Sequence, residues 1–420
     1  MNVLILLKSF NYPPKNGGDQ AVVNAIETLS SYVHYHLISM DDSIEGRITI
    51  SRFGKDHPSI PSIVFESSIA KKYTTIYDKC IRVSNFLNNR NGNKRVVDMR
   101  LLQYYDAQLD YRDSFYRFIN KYIANNKIDI VQSEFSFTLG LLKGITGKVK
   151  KVFVQHEIQF VVNYQRLMQR EHTDDDMYFY EQERQQEING LNCCDAIITL
   201  SEDDRQKLIL NGVHAPIFAS FAQVKLQNNE IELPVKLKKR LVFIGPETHM
   251  PNKQGMQWFL DNVWLKVLKD EPSTELAVIG KWSKETIDKW RLKYGNLIFM
   301  GYVDDLHSAI KESVLIVPLF QGSGIRMKIL EACNIGIPFV STTIGAEGLG
   351  FTDGENAYIT DDIDVFAKDI LVLLKHENLA NSFISKSKEN IRVNFSTKRF
   401  VESRLSCYNA LNTIINEFEK

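Results

Sequence analysis

Between residues 319 and 333 the chain reads LFQGSGIRMKILEAC, which crowds two glycines, two cations and a carboxylate into one short stretch. A glycine-rich turn leading from a buried strand into a helix presents unpaired N–H groups at the positive end of the helix dipole, and that favours an anion. Gly322 and Gly324 let the backbone approach such a group, and Ser323 and Ile325 beside them are donor-binding candidates. With the helix starting at the turn, Gly324, Lys328 and Glu331 fall at i, i+4 and i+7 on one face. Ile325, Ile329 and Ala332 make an adjacent face that is expected to pack on a sheet. Arg326 and Lys328 suit a diphosphate. A carboxylate one turn deeper, Glu331, suits the paired hydroxyls of a ribose. The guest this pattern points to is a nucleoside diphosphate. The competing reading is a surface Lys328–Glu331 ion pair with no ligand. GSGIRM lacks the third glycine of a dinucleotide fingerprint and comes late in the chain, which argues against a nicotinamide dehydrogenase.

The elements that must position this turn are legible as apolar runs. In the first half they are VLILL (3–7), VHYHLISM (33–40), DIVQSE (129–134), KVFVQHE (151–157), AIITLS (196–201) and PIFAS (216–220). In the second half they are LVFIG (241–245), ELAVIG (275–280), LIFMGYV (297–303), VLIVPLF (314–320), PFVST (338–342) and AYIT (357–360). Near-continuous apolar strands alternating with helical patterns indicate parallel sheets covered on both faces, and two such sets indicate two doubly wound, Rossmann-like α/β domains. The expected division is an N-terminal domain over 1–220, a polar linker over 221–240, a C-terminal domain over 241–395 and a final helix over 396–420. In that helix Val401, Leu405, Tyr408, Leu411, Ile415 and Phe418 recur at helical spacing behind the possible caps Ser396 and Thr397.

Composition narrows the function. The chain has 420 residues, with 51 Lys+Arg against 51 Asp+Glu, so bulk nucleic-acid binding is not implied. No apolar run reaches the roughly 18 residues that a membrane span needs, and MNVLILLKSF reads as a first strand rather than a signal peptide. Five cysteines show neither metal spacing nor a disulfide framework, which suits the cytoplasm. Cys193 and Cys194 read as packing residues at a helix end. Residues 71–127 stand apart, with twelve Lys/Arg against five Asp and ten interleaved aromatics. Such a basic helical insertion can dock an anionic acceptor or the inner face of a membrane, although a solvated helical pair with an aromatic core explains it as well.

Other polar residues have simpler readings. Asp174, Asp175 and Asp176 look like a helix start, and no D-x-D stands at a strand end as a metal clamp. Ser201 and Glu202 read as a cap, and Asp129 as a turn residue. His156 follows KVFVQ at the carboxyl end of a strand, the functional edge of a parallel sheet, with Glu157 beside it as a weaker candidate.

The segment GSGIRMKILEACNIGIPFVSTTIGAEGL resembles the donor-binding signature of group 1 glycosyltransferases, family 4, which have the GT-B fold. VFIGPETHMPNKQGMQWFLDNVW resembles the first strand, loop and helix of that family's second domain, and GYVDDL its nucleotide-base loop. YPPKNGGDQAVVNAIETLS resembles the glycine loop of the first domain, and VQHEIQF its histidine loop. The resemblance implies retaining, metal-independent transfer of a sugar from a nucleotide diphosphate donor to a glycan or lipid-linked glycan, with no separate cofactor, in a cleft between the domains. It implies that Glu331 contacts the donor ribose, that Arg326 and Lys328 hold the diphosphate, and that Tyr302 and Val303 hold the base through the main chain. It further places His156 near the transferred sugar, and Gly17 and Gly18 where the chain approaches the diphosphate. Two departures stand out. Ser323 occupies the position of a usual glutamate, and the common Arg/Lys pair after the second domain's first strand is missing. That loop offers Thr248, His249, Asn252 and Lys253 instead, and Asn252 and Lys253 are placed near the donor. A nucleotide-sugar epimerase of the same fold, and a catalytically silent nucleotide-sugar binding protein, are the alternatives.

Overall fold

A computed structural model describes residues 1–66, 112–224 and 233–418. Most of the basic stretch 71–127, including Arg90, Lys94 and Arg95, lies outside the described residues, as does part of the stretch expected as a linker. The chain forms two units, one of Met1–Ser220 with Ser403–Lys420, the other of Phe221–Glu402.

The first unit is built on seven parallel strands: β1 (Asn2–Leu7), β2 (His34–Ser39), β3 (Ser62–Val64), β4 (Ile130–Glu134), β5 (Lys150–Gln155), β6 (Ala196–Thr199) and β7 (Ile217–Ala219). Their order is β3-β2-β1-β4-β5-β6-β7, which reverses direction between β1 and β4. Ligands of open α/β sheets bind outside the strand carboxyl ends at such a reversal. The central strands are buried along most of their length because helices cover both faces, so they read as apolar runs. Strand β3 was not expected, since its three residues are only half-buried and show no run.

In the second unit six parallel strands follow the order β10-β9-β8-β11-β12-β13. They are β8 (Arg240–Ile244), β9 (Glu275–Ile279), β10 (Leu297–Gly301), β11 (Val314–Val317), β12 (Phe339–Ser341) and β13 (Tyr358–Ile359). Strand β11 ends at Val317 and not at Phe320. Pro318 has no N–H to continue a ladder, and Leu319 N turns back onto the Val317 carbonyl. The core gathers Phe243, Phe259, Trp264, Trp290 and Phe366, all essentially inaccessible to water.

Phe221–Val224 belong to this second unit and not to a free linker. Ala222 and Val224 are buried, and Phe221 packs edge-on against Phe395 at 5.8 Å. Residues 115–123 of the helix Arg112–Asn125 bury Phe115, Ile119 and Ile123, so the end of the aromatic stretch is core. Cys194 is buried, but Cys193 is exposed and does not pack. The final helix, Thr397–Phe418, buries Phe400, Arg404, Cys407, Tyr408 and Leu411. Val401 and Leu405, expected on that face, are only half-buried, because a charged residue at 404 occupies the centre of it. Among the described residues no helix is long and apolar enough to cross a membrane.

Candidate functional site

The second unit's site is built on the loop from Pro318 to Arg326. Gly322 (φ 120°) and Gly324 (φ 78°) take left-handed backbone that side chains disfavour. The helix begins later than the spacing suggested, at Met327, and ends at Asn334. Arg326 (φ −88°, ψ 80°) is therefore its N-terminal boundary, and Gly324 is outside it and not on one face with Lys328 and Glu331. The Arg326 guanidinium folds back. Its Nη1 donates to the carbonyls of Ser323 (2.6 Å) and Gly324 (2.7 Å), so the cation braces the turn it belongs to. Ser323 is buried in the turn, and Ile325 is half-buried beside it.

Lys328 and Glu331 do not pair, which removes the simple surface ion pair. Lys328 Nζ donates to the Ile244 carbonyl at the end of β8 (3.0 Å) and to Asn252 Oδ1 (3.4 Å), and lies 4.8 Å from the centre of the Phe243 ring. An ammonium has three donors, so one remains for a ligand. Burial, and then the neighbouring Arg326, pull its pKa down to about 7. Glu331, one helical step on, has no hydrogen-bond partner among the described residues, and burial pushes its carboxyl up to about 7. A half-buried carboxylate with no donor from the protein leaves its oxygens open to a ligand's hydroxyls.

The loop after β8 differs from expectation in what its side chains do. Asn252 is buried, and its Nδ2 donates to the Pro246 carbonyl (3.1 Å) while its Oδ1 meets Lys328. It braces Lys328. Lys253 is held by Glu247 at 2.7 Å, and Glu247 also accepts from Ser283 N (2.6 Å) and Thr286 Oγ1 (2.6 Å). Those bonds outweigh the partial burial and bring Glu247 down to about 2. Lys253 is thus a structural cation with an acidic partner, not a free one. Tyr302 and Val303 follow β10 in the loop opened by Gly301 (φ 68°), with Tyr302 70% exposed and Asp305 capping the next helix through Ser308 N (3.1 Å).

In the first unit Gly17 and Gly18 open the helix Gly17–Leu29 behind the cap Asn16. Buried Asp19 ties the loop together, accepting from Asn11 Nδ2 (2.9 Å) and Asn16 Nδ2 (2.7 Å). A side chain at Gly18 would press on the Phe135 ring. Phe135 in turn stacks on His156, with ring centroids 4.1 Å apart and planes 23° from parallel. His156 Nε2 lies 2.6 Å from Glu134 Oε2. The fold so joins Gly18 and His156 through Phe135, and adds Glu134, which the sequence reading left inside a strand. β4 and β5 are neighbours in the sheet, which places two carboxyl-end residues side by side, and no local sequence pattern signals it. Glu157 instead accepts from Gln159 Nε2 (3.2 Å). Asp176 and Thr173 form a capping box, Ser201 caps the helix Glu202–Leu210, and Asp129 accepts from Asn2 N (2.7 Å), so these polar residues serve the frame.

Residues 238–376 match the family model described as Glycosyl transferases group 1. This part of the chain is a group 1 glycosyltransferase domain. The chain is 26% identical over 299 residues to an uncharacterized 44.6 kDa protein in the cps region of Klebsiella pneumoniae, covering 66% of this chain and 74% of that one. It is 24% identical over 243 residues to a poly(ribitol-phosphate) alpha-N-acetylglucosaminyltransferase of Staphylococcus aureus (strain COL), covering 56% and 48% of the two chains. The solved structure of TarM matches with a TM-score of 0.70 at 14% identity over 97% of this chain and 98% of that chain. That likeness shows the fold, GT-B with two Rossmann-like domains. A mutant of S. aureus TarM has also been solved with fondaparinux, alpha-GlcNAc-glycerol and UDP.

Proposed function

We propose that this glycosyltransferase moves a sugar from a nucleoside-diphosphate sugar, UDP being the first candidate, to a glycan or lipid-linked glycan in polysaccharide biosynthesis. The observation that carries the donor class is Glu331. A half-buried carboxylate without a donor of its own, three residues after a lysine with a spare N–H, matches a ribose beside a diphosphate. The UDP bound by TarM supports the base. In this reading Tyr302 and Val303 hold the base, Glu331 the ribose, and the 322–326 turn with Lys328 the diphosphate. Asn252 and the folded-back Arg326 keep Lys328 and the turn in place.

The reaction breaks the bond between the anomeric carbon and the diphosphate oxygen as the acceptor oxygen bonds to that carbon. The acceptor proton passes to the leaving phosphate oxygen, and configuration is retained by attack on the departing face. Charge growing on the diphosphate is met by main-chain N–H groups and the Lys328 ammonium, already oriented before the reaction. In the first unit His156 is the proposed contact to the sugar substrate, with Gly18 leaving room for the Phe135 ring that stacks on it.

A melting panel of UDP, GDP, CMP, ADP and dTDP on the native chain and on Glu331→Ala tests the donor class. A ligand at a hundredfold over its Kd stabilises the native state by about 2.7 kcal/mol. One diphosphate is expected to raise the melting point of the native chain and to lose that effect on the variant. No shift with any of the five overturns the reading. Turnover that yields an isomerised free sugar, with none incorporated into an acceptor, would support an epimerase instead.

A further inference from the structure

We propose that Glu134 is the positioning residue of His156, and that Tyr408 of the final helix sets Glu134 through Gln132, so that His156 presents Nδ1 to the substrate. This rests on the reading of His156 as a substrate contact. The four side chains form one line. Tyr408 Oη donates to Gln132 Oε1, Gln132 Nε2 donates to Glu134 Oε1, and Glu134 Oε2 lies 2.6 Å from His156 Nε2. All of it is shielded, with Tyr408 inaccessible, Gln132 and Glu134 at 2% and 3% exposure, and the His156 side chain at 10%.

The directions follow from what each group can do. Tyr408 Oη gives its proton to Gln132, and Tyr35 Oη at 3.4 Å can give its own to Tyr408. Gln132 spends its oxygen on Tyr408, so its amide NH₂ must face Glu134. Glu134 as a carboxylate can only accept, so the imidazole nitrogen beside its second oxygen carries the hydrogen. Its second donor is the His156 Nε2–H, which leaves Nδ1 as the nitrogen not bonded within the chain. Nδ1 has no partner among the described residues. The Arg404 guanidinium, buried on the same helix and bonded to Ser220 Oγ (3.2 Å), is the positive charge behind the line.

Backbone strain points to the same place. Phe135 holds φ 66° and ψ 149°, a region used almost only by glycine, and its ring clamps the imidazole from one face. Such strain survives where surrounding contacts enforce it, and it clusters at functional sites. The ring fixes the imidazole plane, and Glu134 fixes which nitrogen carries the proton.

A glutamine at 134 would set its NH₂ against either the Gln132 amide or the His156 Nε2–H. Rotating to relieve the first forces the imidazole to accept at Nε2 and move its proton to Nδ1. The experiment joins ¹⁵N-imidazole NMR with kinetics on the full chain, the His156 signal being assigned by its loss in His156→Ala. The native signal is expected as the Nε2–H tautomer. In Glu134→Gln that tautomer is expected to be lost, and kcat to fall about tenfold or more with donor KM and the UDP-induced melting shift unchanged. The double variant Glu134→Gln/His156→Ala is expected to match His156→Ala alone. A native Nδ1–H tautomer overturns the proposal whether or not the variant folds. Native kcat in Glu134→Gln, or losses that multiply in the double variant, overturn it too. Native kcat in His156→Ala removes His156 from the reaction, and the tautomer measurement still decides whether Glu134 sets it.

Discussion

Lys328 and Glu331 are pushed toward the same value from opposite sides. Burial, and then Arg326, bring the lysine down to about 7, and burial brings the glutamate up to about 7. A diphosphate requires the ammonium form. Below pH 7 the lysine is already charged, and binding takes up no proton there. Above pH 7 binding must protonate it, so affinity falls as pH rises. Ribose hydroxyls favour the carboxylate form of Glu331, so its contribution falls as pH drops below 7. The expected outcome is a bell-shaped affinity for a UDP-sugar centred near pH 7, read by titration calorimetry between pH 5.5 and 9. Lys328→Arg keeps the charge at every pH and should remove the alkaline limb, and Glu331→Gln should remove the acid limb. A flat native profile would sink the assignment.

The element that positions these groups is the helix Met250–Phe259, laid against the end of β11. Gly255 sits where that helix touches the chain, and a Cβ there would overlap the Pro318 carbonyl, which belongs to the backbone and cannot swing aside. Gly255→Ala should therefore push the helix off the 318–326 loop. It is expected to cost about 1–3 kcal/mol of stability and to weaken UDP binding, since Asn252 on the same helix braces Lys328. Thermal melting with and without UDP checks both. From the other side, Thr342 Oγ1 donates to the Leu319 carbonyl and Ser341 Oγ to that of Val317 (3.2 Å). The loop is thus held by the strand beside it as well as by the helix above it.

At the scale of the whole molecule the last residues are part of the first unit. Tyr408 and Arg404 enter a core otherwise made by residues before 221, and Tyr35 and Gln132 receive them. Tyr408→Ala removes a fully buried ring and leaves Gln132 Oε1 without its donor. It is expected to destabilise the first unit by about 3–5 kcal/mol, with the second unit retained. Hydrogen exchange resolved by segment would show protection lost in β1, β2 and β4 but kept in β8, β9 and β11. Equal loss in both sets would mean that the two units unfold as one.

Twelve of the thirteen strands among the described residues were legible as apolar runs, most plainly the central ones, which are covered on both faces and need no polar side. Strand β3 was not among them. The glycine turn and the helix behind it were also legible, since both are local and need only residue types and spacing, although the helix begins at Met327 rather than at the turn. What the local pattern does not contain is where a long side chain goes. Arg326 folds onto its own carbonyls, Lys253 is taken by Glu247, and Asn252 turns inward to Lys328, each decided by a neighbour brought near by the fold. The line from Tyr408 to His156 is the extreme case. Its members are 276 and 22 residues apart in the chain. A carboxylate inside an apolar strand, a phenol on a late helix and an imidazole at a strand end have no shared period. They meet only because β4 and β5 lie side by side and the final helix returns to the first unit, so tertiary structure alone decides what surrounds the His156 ring.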